Sequence, residues 1–409
     1  MSVVDNQGRT LAGLLARLRP HWHRDPGLPG RIEDLLRRDR RFGARDRRLY
    51  RDLVYTAVRH LPWIEPWLDR DPGRAVRAIA WLAADTPATR AFRAALLGSA
   101  APDPSLPPAS VADKAAALAG ILGAAPAASL LPSWFERECP EAFRPPNYDV
   151  LNTRAPLWLR LSPGDPDPVF AEFAARAWPW RRSPLLSSAV EILGEVDVTA
   201  TAAFRAGAFE IQDVGSQLIL ESAGLTPGEH WLDACAGAGG KSLQLATLLG
   251  PGGRVDACDV RPAALAELAR RAERAGLARR ITRPNRPAAS YDGVLVDAPC
   301  SGTGTWRRSP HLKWVTTPAR VQTAAARQQA LLAQFATRVR PGGRLLYATC
   351  SLCPSENERV VERFLAAFPA FSAEPFAHQS RGEPRGAGLV FWPATHNGDG
   401  YFVANLRKA

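Results

Sequence analysis

The chain has 409 residues, 46% of them hydrophobic and 22% charged, with a formal net charge of +12. That length and balance are those of two to three folded domains and exclude a chain disordered throughout. The basic excess favours a polyanionic partner, because phosphates attract it and release counterions on binding, and it is carried almost wholly by Arg: Lys occurs only at 114, 241, 313 and 408.

To about Gly123 the pattern is helical. Leu11, Leu14, Leu15 and Leu18 repeat at helical spacing, as do Leu49, Leu53, Val54 and Val58. Up to His60 there are 14 Arg against 7 acidic residues, so more than half of the net charge lies in the first seventh of the chain. The run Arg37–Arg51 is the densest part. It reads either as a solvated helix face with Asp39 and Asp46 pairing locally, or as a surface that contacts phosphates. The Pro-rich stretch Ala101–Ser110 predicts a loop between helices.

From Ala124 to Phe209 a small α+β module is predicted. Leu157–Leu161 alternates as a strand, a helix covers Pro168–Ala177, and a second strand covers Val190–Val196. From Glu210 strand and helix patterns alternate. Strands are expected at Trp231–Cys235, Arg254–Asp259, Tyr291–Asp297, Arg344–Thr349 and Tyr401–Leu406. Helices are expected from the Gly-rich turn through Leu249 and over Pro262–Ala275, Ala319–Val339 and Ser355–Phe368, with a turn at Pro341-Gly342-Gly343. Such alternation predicts a doubly wound α/β sheet, whose ligands sit beyond the carboxyl ends of the strands.

The six cysteines are too few and too scattered for a disulfide scaffold, and only Cys350 and Cys353 show a C-x-x-C spacing, so no four-cysteine zinc site and no metal is expected. Met1–Asp5 lacks the basic start of a signal peptide, and Ala115–Leu131 is too weakly apolar to span a bilayer. A reducing, cytoplasmic setting and no membrane partner are expected.

The Gly-rich turn reads Asp233-Ala234-Cys235-Ala236-Gly237-Ala238-Gly239-Gly240-Lys241-Ser242. A dinucleotide fingerprint would start at Gly237 but meets Ser242 at its third Gly, and a P-loop would end on Gly240-Lys241-Ser242 but has Cys235 at its first. The third reading is a turn of the S-adenosylmethionine type, with a helix start at Gly240 offering amides to the ligand's carboxylate. Asp259, 26 residues after Asp233, suits a ribose diol. The turn with Asp259 leaves NAD and S-adenosylmethionine both open.

Asp297-Ala298-Pro299-Cys300 and Ala348-Thr349-Cys350 then place two cysteines at the carboxyl ends of strands. Two small residues filling a cleft wall is the plain reading of either one. Redox chemistry at Cys350 and Cys353 is an alternative that leaves Cys300, Asp297 and the turn unexplained.

The combination DACAGAGGK, DAPCSGTG and ATCSLCPSEN resembles the Sun/Fmu class of RNA cytosine-5 methyltransferases. The resemblance continues through Arg307-Arg308-Ser309-Pro310, Lys313-Trp314, Ser355-Glu356-Asn357-Glu358 and Gly400-Tyr401-Phe402-Val403-Ala404, and upstream at Phe209–Asp213. It implies three domains: an all-α, NusB-like RNA-binding domain over 1–123, a small α+β module over 124–209, and a Rossmann-like methyltransferase domain over 210–409. It implies Cys350 as nucleophile, Cys300 as the residue for product release, and Asp297 and Lys241 as their catalytic partners. S-adenosyl-L-methionine would lie against Cys235, Ala236, Gly237, Ala238, Gly239, Gly240, Lys241, Asp259, Asn285 and Asp297. Asn285 enters because Arg280–Ser290 holds no acid, and Ala238 stands where the family has Pro. Arg307, Arg308 and Lys313 would face RNA, with Trp306 and Trp314 either stacking on bases or packing in the core.

The function implied is 5-methylcytosine formation in small-subunit ribosomal RNA, on a cytosine that is single-stranded or flipped out. The sequence leaves the oligomeric state open, with a monomer favoured. Transfer RNA as substrate, an inactive assembly factor of the same fold, and methylation of a base amine are the alternatives. The last needs a [DN]-P-P-[YFW]-like loop, where this chain has Asp297-Ala298-Pro299-Cys300.

Overall fold

The computed structural model describes residues 3–98 and 110–409, so most of the expected loop Ala101–Ser110 lies outside the described residues. The chain divides into two compact units. One comprises Met1–Arg154 with Trp306–Thr316, the other Ala155–Thr305 with Thr317–Ala409.

The first unit is helical, with its longer helices at Val3–Leu18, Leu28–Arg38, Ala44–Arg59, Leu61–Arg70, Pro72–Leu82, Pro87–Leu97 and Val111–Leu122. Proline within the first two positions starts four of them, where its missing N–H costs nothing. Asp71, Thr86 and Ser110 cap helix starts through their side chains. Leu11, Leu14, Leu15 and Leu18 are all buried, in one core with Trp22, Ile32, Leu53, Val58 and Ile79. The helical unit runs past the expected boundary at 123. Leu130 joins that same core, with Tyr148 packed against it.

Trp306–Thr316 lies outside the expected division altogether, because its side chains are built into the helical unit. Trp306 is fully buried with its ring 4.6 Å from Phe135. Trp314 Nε1 donates to the Val58 carbonyl at 2.7 Å. Both indoles therefore pack as core.

The second unit holds two sheets. Strands β1 (Leu157–Leu161), β2 (Trp180–Arg182), β3 (Ala189–Ile192) and β4 (Phe209–Ile211) form an antiparallel sheet in the order β2-β3-β1-β4. The larger sheet comprises β5 (His230–Asp233), β6 (Arg254–Ala257), β7 (Ile281–Thr282), β8 (Tyr291–Asp297), β9 (Val339–Thr349), β10 (Phe371–Ala373), β11 (Glu383–Arg385), β12 (Gly388–Phe391) and β13 (Tyr401–Lys408). Its order is β11-β12-β13-β9-β8-β5-β6-β7, with β10 on β13. Strands β5 to β9 are parallel and β13 is antiparallel to β9. This is a Rossmann-like methyltransferase architecture. From β5 the chain runs outward to β6 and β7, then returns to β8 on the other side, so a crevice opens beyond the ends of β5 and β8.

Two local expectations differ from what is found. The turn Pro341-Gly342-Gly343 lies within β9: the step from Tyr291 to Gly293 on β8 is matched by the longer step from Val339 to Arg344, so the turn loops out of a continuing strand. The helix expected over Ser355–Phe368 is broken into a 3-10 turn, Pro354–Glu356, and a helix, Glu358–Ala367, because the side chains at the break are committed to the loop before them. Among the described residues no helix is long and apolar enough to cross a membrane.

Candidate active site

The site is built at the carboxyl ends of β5, β6, β8 and β9. In the turn after β5, Gly239 sits at φ +88°, and a Cβ there would meet Leu268 Cγ at 2.6 Å, so only glycine lets the turn lie this close to the helix Pro262–Arg274. Ala236 N donates to the Cys258 carbonyl at 2.9 Å, and Gly239 N to the Ala236 carbonyl at 2.9 Å. Arg271 Nη1 donates to the Ala238 carbonyl at 2.8 Å while its other nitrogens bind the buried Glu210 carboxylate. The helix Gly240–Leu248 then starts with free backbone amides, the element that favours an anion.

Asp233 ends β5 almost fully buried. Ser242 Oγ donates to its Oδ2 at 2.7 Å, and its Oδ1 has no hydrogen-bond partner. Burial pushes this carboxyl up to about 7. Burial likewise pushes the Cys235 thiol up to about 12, which makes it a packing residue and not a nucleophile. Asp259 is held down by Arg261 and has a full set of donors. Gly237 N (2.8 Å) and Arg261 Nη2 (3.0 Å) reach Oδ2; Arg261 N and Nε, both at 2.9 Å, reach Oδ1. Asn285 stands exposed in the loop after β7 and makes no hydrogen bond to the turn or to Asp259.

Asp297, at the end of β8, accepts from Lys241 Nζ at 2.7 Å. The lysine lies in the first turn of its helix, and its Nζ is 5.4 Å from the centre of the Tyr401 ring. Because β8 and β9 are paired in parallel with Asp297 opposite Ala348, the loops that follow them emerge side by side. There the Cys300 and Cys350 sulfurs lie 3.2 Å apart. The hydrogen bond with Cys350, together with burial, pushes the Cys300 thiol well up, so Cys300 is the partner that keeps its proton. The approach is locked by glycine: a Cβ on Gly304 would meet the Gly400 carbonyl at 2.1 Å, while Gly304 N donates to the Cys350 carbonyl at 3.0 Å.

Of the residues expected on the RNA side, Arg308 is exposed. Lys313 is fully buried in the helical unit. All three of its N–H donors are spent there, on the Arg59 carbonyl (2.9 Å), the Leu130 carbonyl (3.2 Å) and Asn152 Oδ1 (2.9 Å). Arg307 is also buried and donates to the Arg154 carbonyl at 3.1 Å. A phosphate at Lys313 or Arg307 would have to displace these bonds, a correction to the surface role expected for them. Within the run Arg37–Arg51, local pairing takes up Arg37 with Asp34, Arg41 with Asp39 and Arg51 with Glu33. Arg38, Arg40, Arg45 and Arg48 are exposed and make no ion pair among the described residues.

Sequence reading singled out neither Tyr401 nor Arg271 at the site. Each stands in a motif or helix with no chemical signature of its own, and only the fold brings it there.

Residues 222–407 match the family described as 16S rRNA methyltransferase RsmB/F. Among curated relatives, a probable ribosomal RNA small subunit methyltransferase B of Synechocystis sp. is 36% identical over 265 residues, covering 56% of this chain and 59% of that protein. Ribosomal RNA small subunit methyltransferase B of Pasteurella multocida is 31% identical over 297 residues, covering 68% and 66%. This chain thus spans about three fifths to two thirds of the length of these relatives. Among solved structures, that of PH0851 superposes with a TM-score of 0.72 over 98% of each chain at 22% identity, a likeness of fold.

Proposed function

The chain belongs to the RsmB/F family through residues 222–407, and from that premise we propose that it is an S-adenosylmethionine-dependent methyltransferase that makes 5-methylcytosine in small-subunit ribosomal RNA. The observation that carries this reading is the pair of sulfurs 3.2 Å apart beside the Lys241–Asp297 pair. S-adenosylmethionine fits the residues present. The turn 235–240 admits a ligand's backbone approach, the helix start at Gly240 offers amides to a carboxylate, and Asp259 offers two oxygens to a diol once the Arg261 side chain withdraws from them. The cofactor supplies an electrophilic methyl group on sulfonium.

Cytosine carbon 5 is a poor nucleophile, and the protein's task is to activate it. Cys350 adds as thiolate to carbon 6, which leaves the ring enamine-like, so that carbon 5 takes the methyl group. Asp297 shares a proton with the N3 edge of the base, so that the negative charge that would otherwise collect there is neutralised, while Lys241 donates to a carboxyl oxygen and holds the group in place. Carbon 5 then carries both a methyl group and a proton. The proton passes to a base, the electrons re-form the double bond, and the Cys350 sulfur leaves.

Cys300 suits the base role for a specific reason. While Cys350 is a thiolate, its charge and hydrogen bond hold the proton on Cys300. Once Cys350 is bonded to carbon 6 that charge is gone, and Cys300 gives up its proton to solvent water more readily; the thiolate so formed takes the carbon-5 proton. A base in a duplex cannot enter between these groups, so the cytosine is unpaired or flipped out. The guanidinium groups of Arg38, Arg40, Arg45 and Arg48, which make no ion pair among the described residues, support a backbone-contacting role for the helical unit.

The test is transfer of labelled methyl from S-adenosylmethionine to ribosomal RNA by the purified protein, with bisulfite mapping of RNA from cells with and without the gene. Loss of one 5-methylcytosine in small-subunit RNA is the expected result. Loss in a transfer RNA instead would move the substrate assignment, and no loss anywhere would remove it.

A further inference from the structure

One ionisable group beside the cysteines has no part in the chemistry above. Glu356 is fully buried and makes no ion pair among the described residues. Burial raises its carboxyl, as expected for a charge taken out of water without a cation. Its four acceptor positions are nevertheless all filled. Oε1 accepts from Ser301 N at 2.8 Å and from Gln328 Nε2 at 3.0 Å; Oε2 accepts from Ser301 Oγ and from Ser351 Oγ at 2.6 Å.

The identity of these donors matters. Ser301 directly follows Cys300, and Ser351 directly follows Cys350. Gln328 also donates to the Pro299 carbonyl at 3.0 Å, on the other side of Cys300. The neighbouring Asn357 does the same for Cys350: it accepts from Thr349 Oγ1 at 2.6 Å and donates to the Ser351 carbonyl at 2.9 Å. The β8–β9 ladder ends at Asp297 and Ala348; beyond it the Gly304 N to Cys350 carbonyl bond joins the two loops on one side, and this side-chain network joins them on the other.

We infer that Glu356 is the positioning residue that sets the approach of Cys300 to Cys350, by tying the two serines that follow them to one carboxylate. The catalytic meaning rests on the reading of these thiols as the reacting groups; the geometric claim does not. What the loops need is the bridge. A glutamine at 356 keeps it: its carbonyl accepts from Ser301 N and Gln328, and its amide donates to the two serine oxygens, whose hydroxyls turn to suit. An alanine removes it.

The experiment measures closure of the Cys300–Cys350 disulfide by diamide, which takes two hydrogens from the thiol pair, with the linked peptide read by mass spectrometry. RNA methylation is followed in parallel. Glu356→Ala is expected to slow closure at least ~10-fold and to lower kcat by about 100-fold, the cost of roughly an ångström of misplacement, with KM for S-adenosylmethionine unchanged. Glu356→Gln is expected within about threefold of the parent in closure, since the bridge survives. Closure of Glu356→Ala at the parent rate, or Glu356→Gln as slow as Glu356→Ala, would overturn the inference. Should Glu356→Ala fail to fold, Ser301→Ala and Ser351→Ala each remove one arm, and parent rates in both would overturn it too. If the parent protein methylates no RNA, the proposed function fails while the closure rates still decide the role of Glu356.

Discussion

The sulfurs of Cys300 and Cys350 stand 3.2 Å apart, on loops that leave adjacent parallel strands. Burial and the hydrogen bond with Cys350 raise the Cys300 thiol, and the proposed mechanism gives Cys350 the nucleophile's role. Cys350→Ala should abolish methyl transfer, a loss of at least ~10⁴-fold for an essential nucleophile, while calorimetry finds the affinity for S-adenosylmethionine within about twofold of the parent. Residual turnover near the parent rate would take the nucleophile role from Cys350.

Asp259 sits with all four of its acceptor positions taken, two of them by the side chain of Arg261. A ribose diol needs two acceptors, and withdrawal of that one side chain frees one on each oxygen. Arg261 thus competes with the cofactor. Arg261→Ala should tighten binding of S-adenosylmethionine by about 3- to 10-fold, and Asp259→Ala should weaken it by at least ~10-fold, the scale of a single charge-assisted hydrogen bond. Both are read by titration calorimetry.

Burial holds the Asp233 carboxyl protonated up to about pH 7 in the folded chain, well above its ordinary value. Below the ordinary value both states carry the proton. Between there and about 7 the folded state keeps a proton that the unfolded state has released, so this group's contribution to stability falls as pH rises through that window. Asp233→Asn removes the dependence. Thermal melts of the second unit between pH 5 and 8 should show the variant gaining on the parent with rising pH, and a constant difference would contradict the assignment.

Arg38, Arg40, Arg45 and Arg48 are the exposed residues of the first unit's basic run that make no ion pair among the described residues. Replacing all four by Gln should weaken RNA binding and lower the magnitude of the salt slope by roughly 0.7 to 0.9 for each phosphate no longer neutralised. Filter binding over a series of salt concentrations measures both. An unchanged slope would return the run to a solvated helix face.

Much of this was legible in the chain itself. Apolar runs located β1 and β8 to the residue, because both strands are buried along nearly their whole length, and helical spacing picked out Leu11, Leu14, Leu15 and Leu18 as the buried stripe of the first helix. The turn 233–242, Asp297, Cys300 and Cys350 stood out because their residue types are rare in plain strand–helix junctions. What stayed hidden depends on distance in sequence. Lys313 looked like a surface cation, and only the fold shows its three acceptors at Arg59, Leu130 and Asn152. Glu356 fell at the start of an expected helix with no role assigned to it, and only the fold brings Ser301 to its carboxylate. The helical unit runs to Arg154, past 123, where Leu130 and Tyr148 pack on a core that reaches back through Leu122 and Leu118 to Leu11.

In the proposed covalent route Cys350 bonds the base and Cys300 frees it. Denaturing gel electrophoresis of Cys300→Ala incubated with ribosomal RNA and S-adenosylmethionine reads this step. A protein–RNA adduct that survives denaturation is expected, and it should vanish when Cys350→Ala is added to the same chain. No adduct with Cys300→Ala, or one that persists without Cys350, would contradict it.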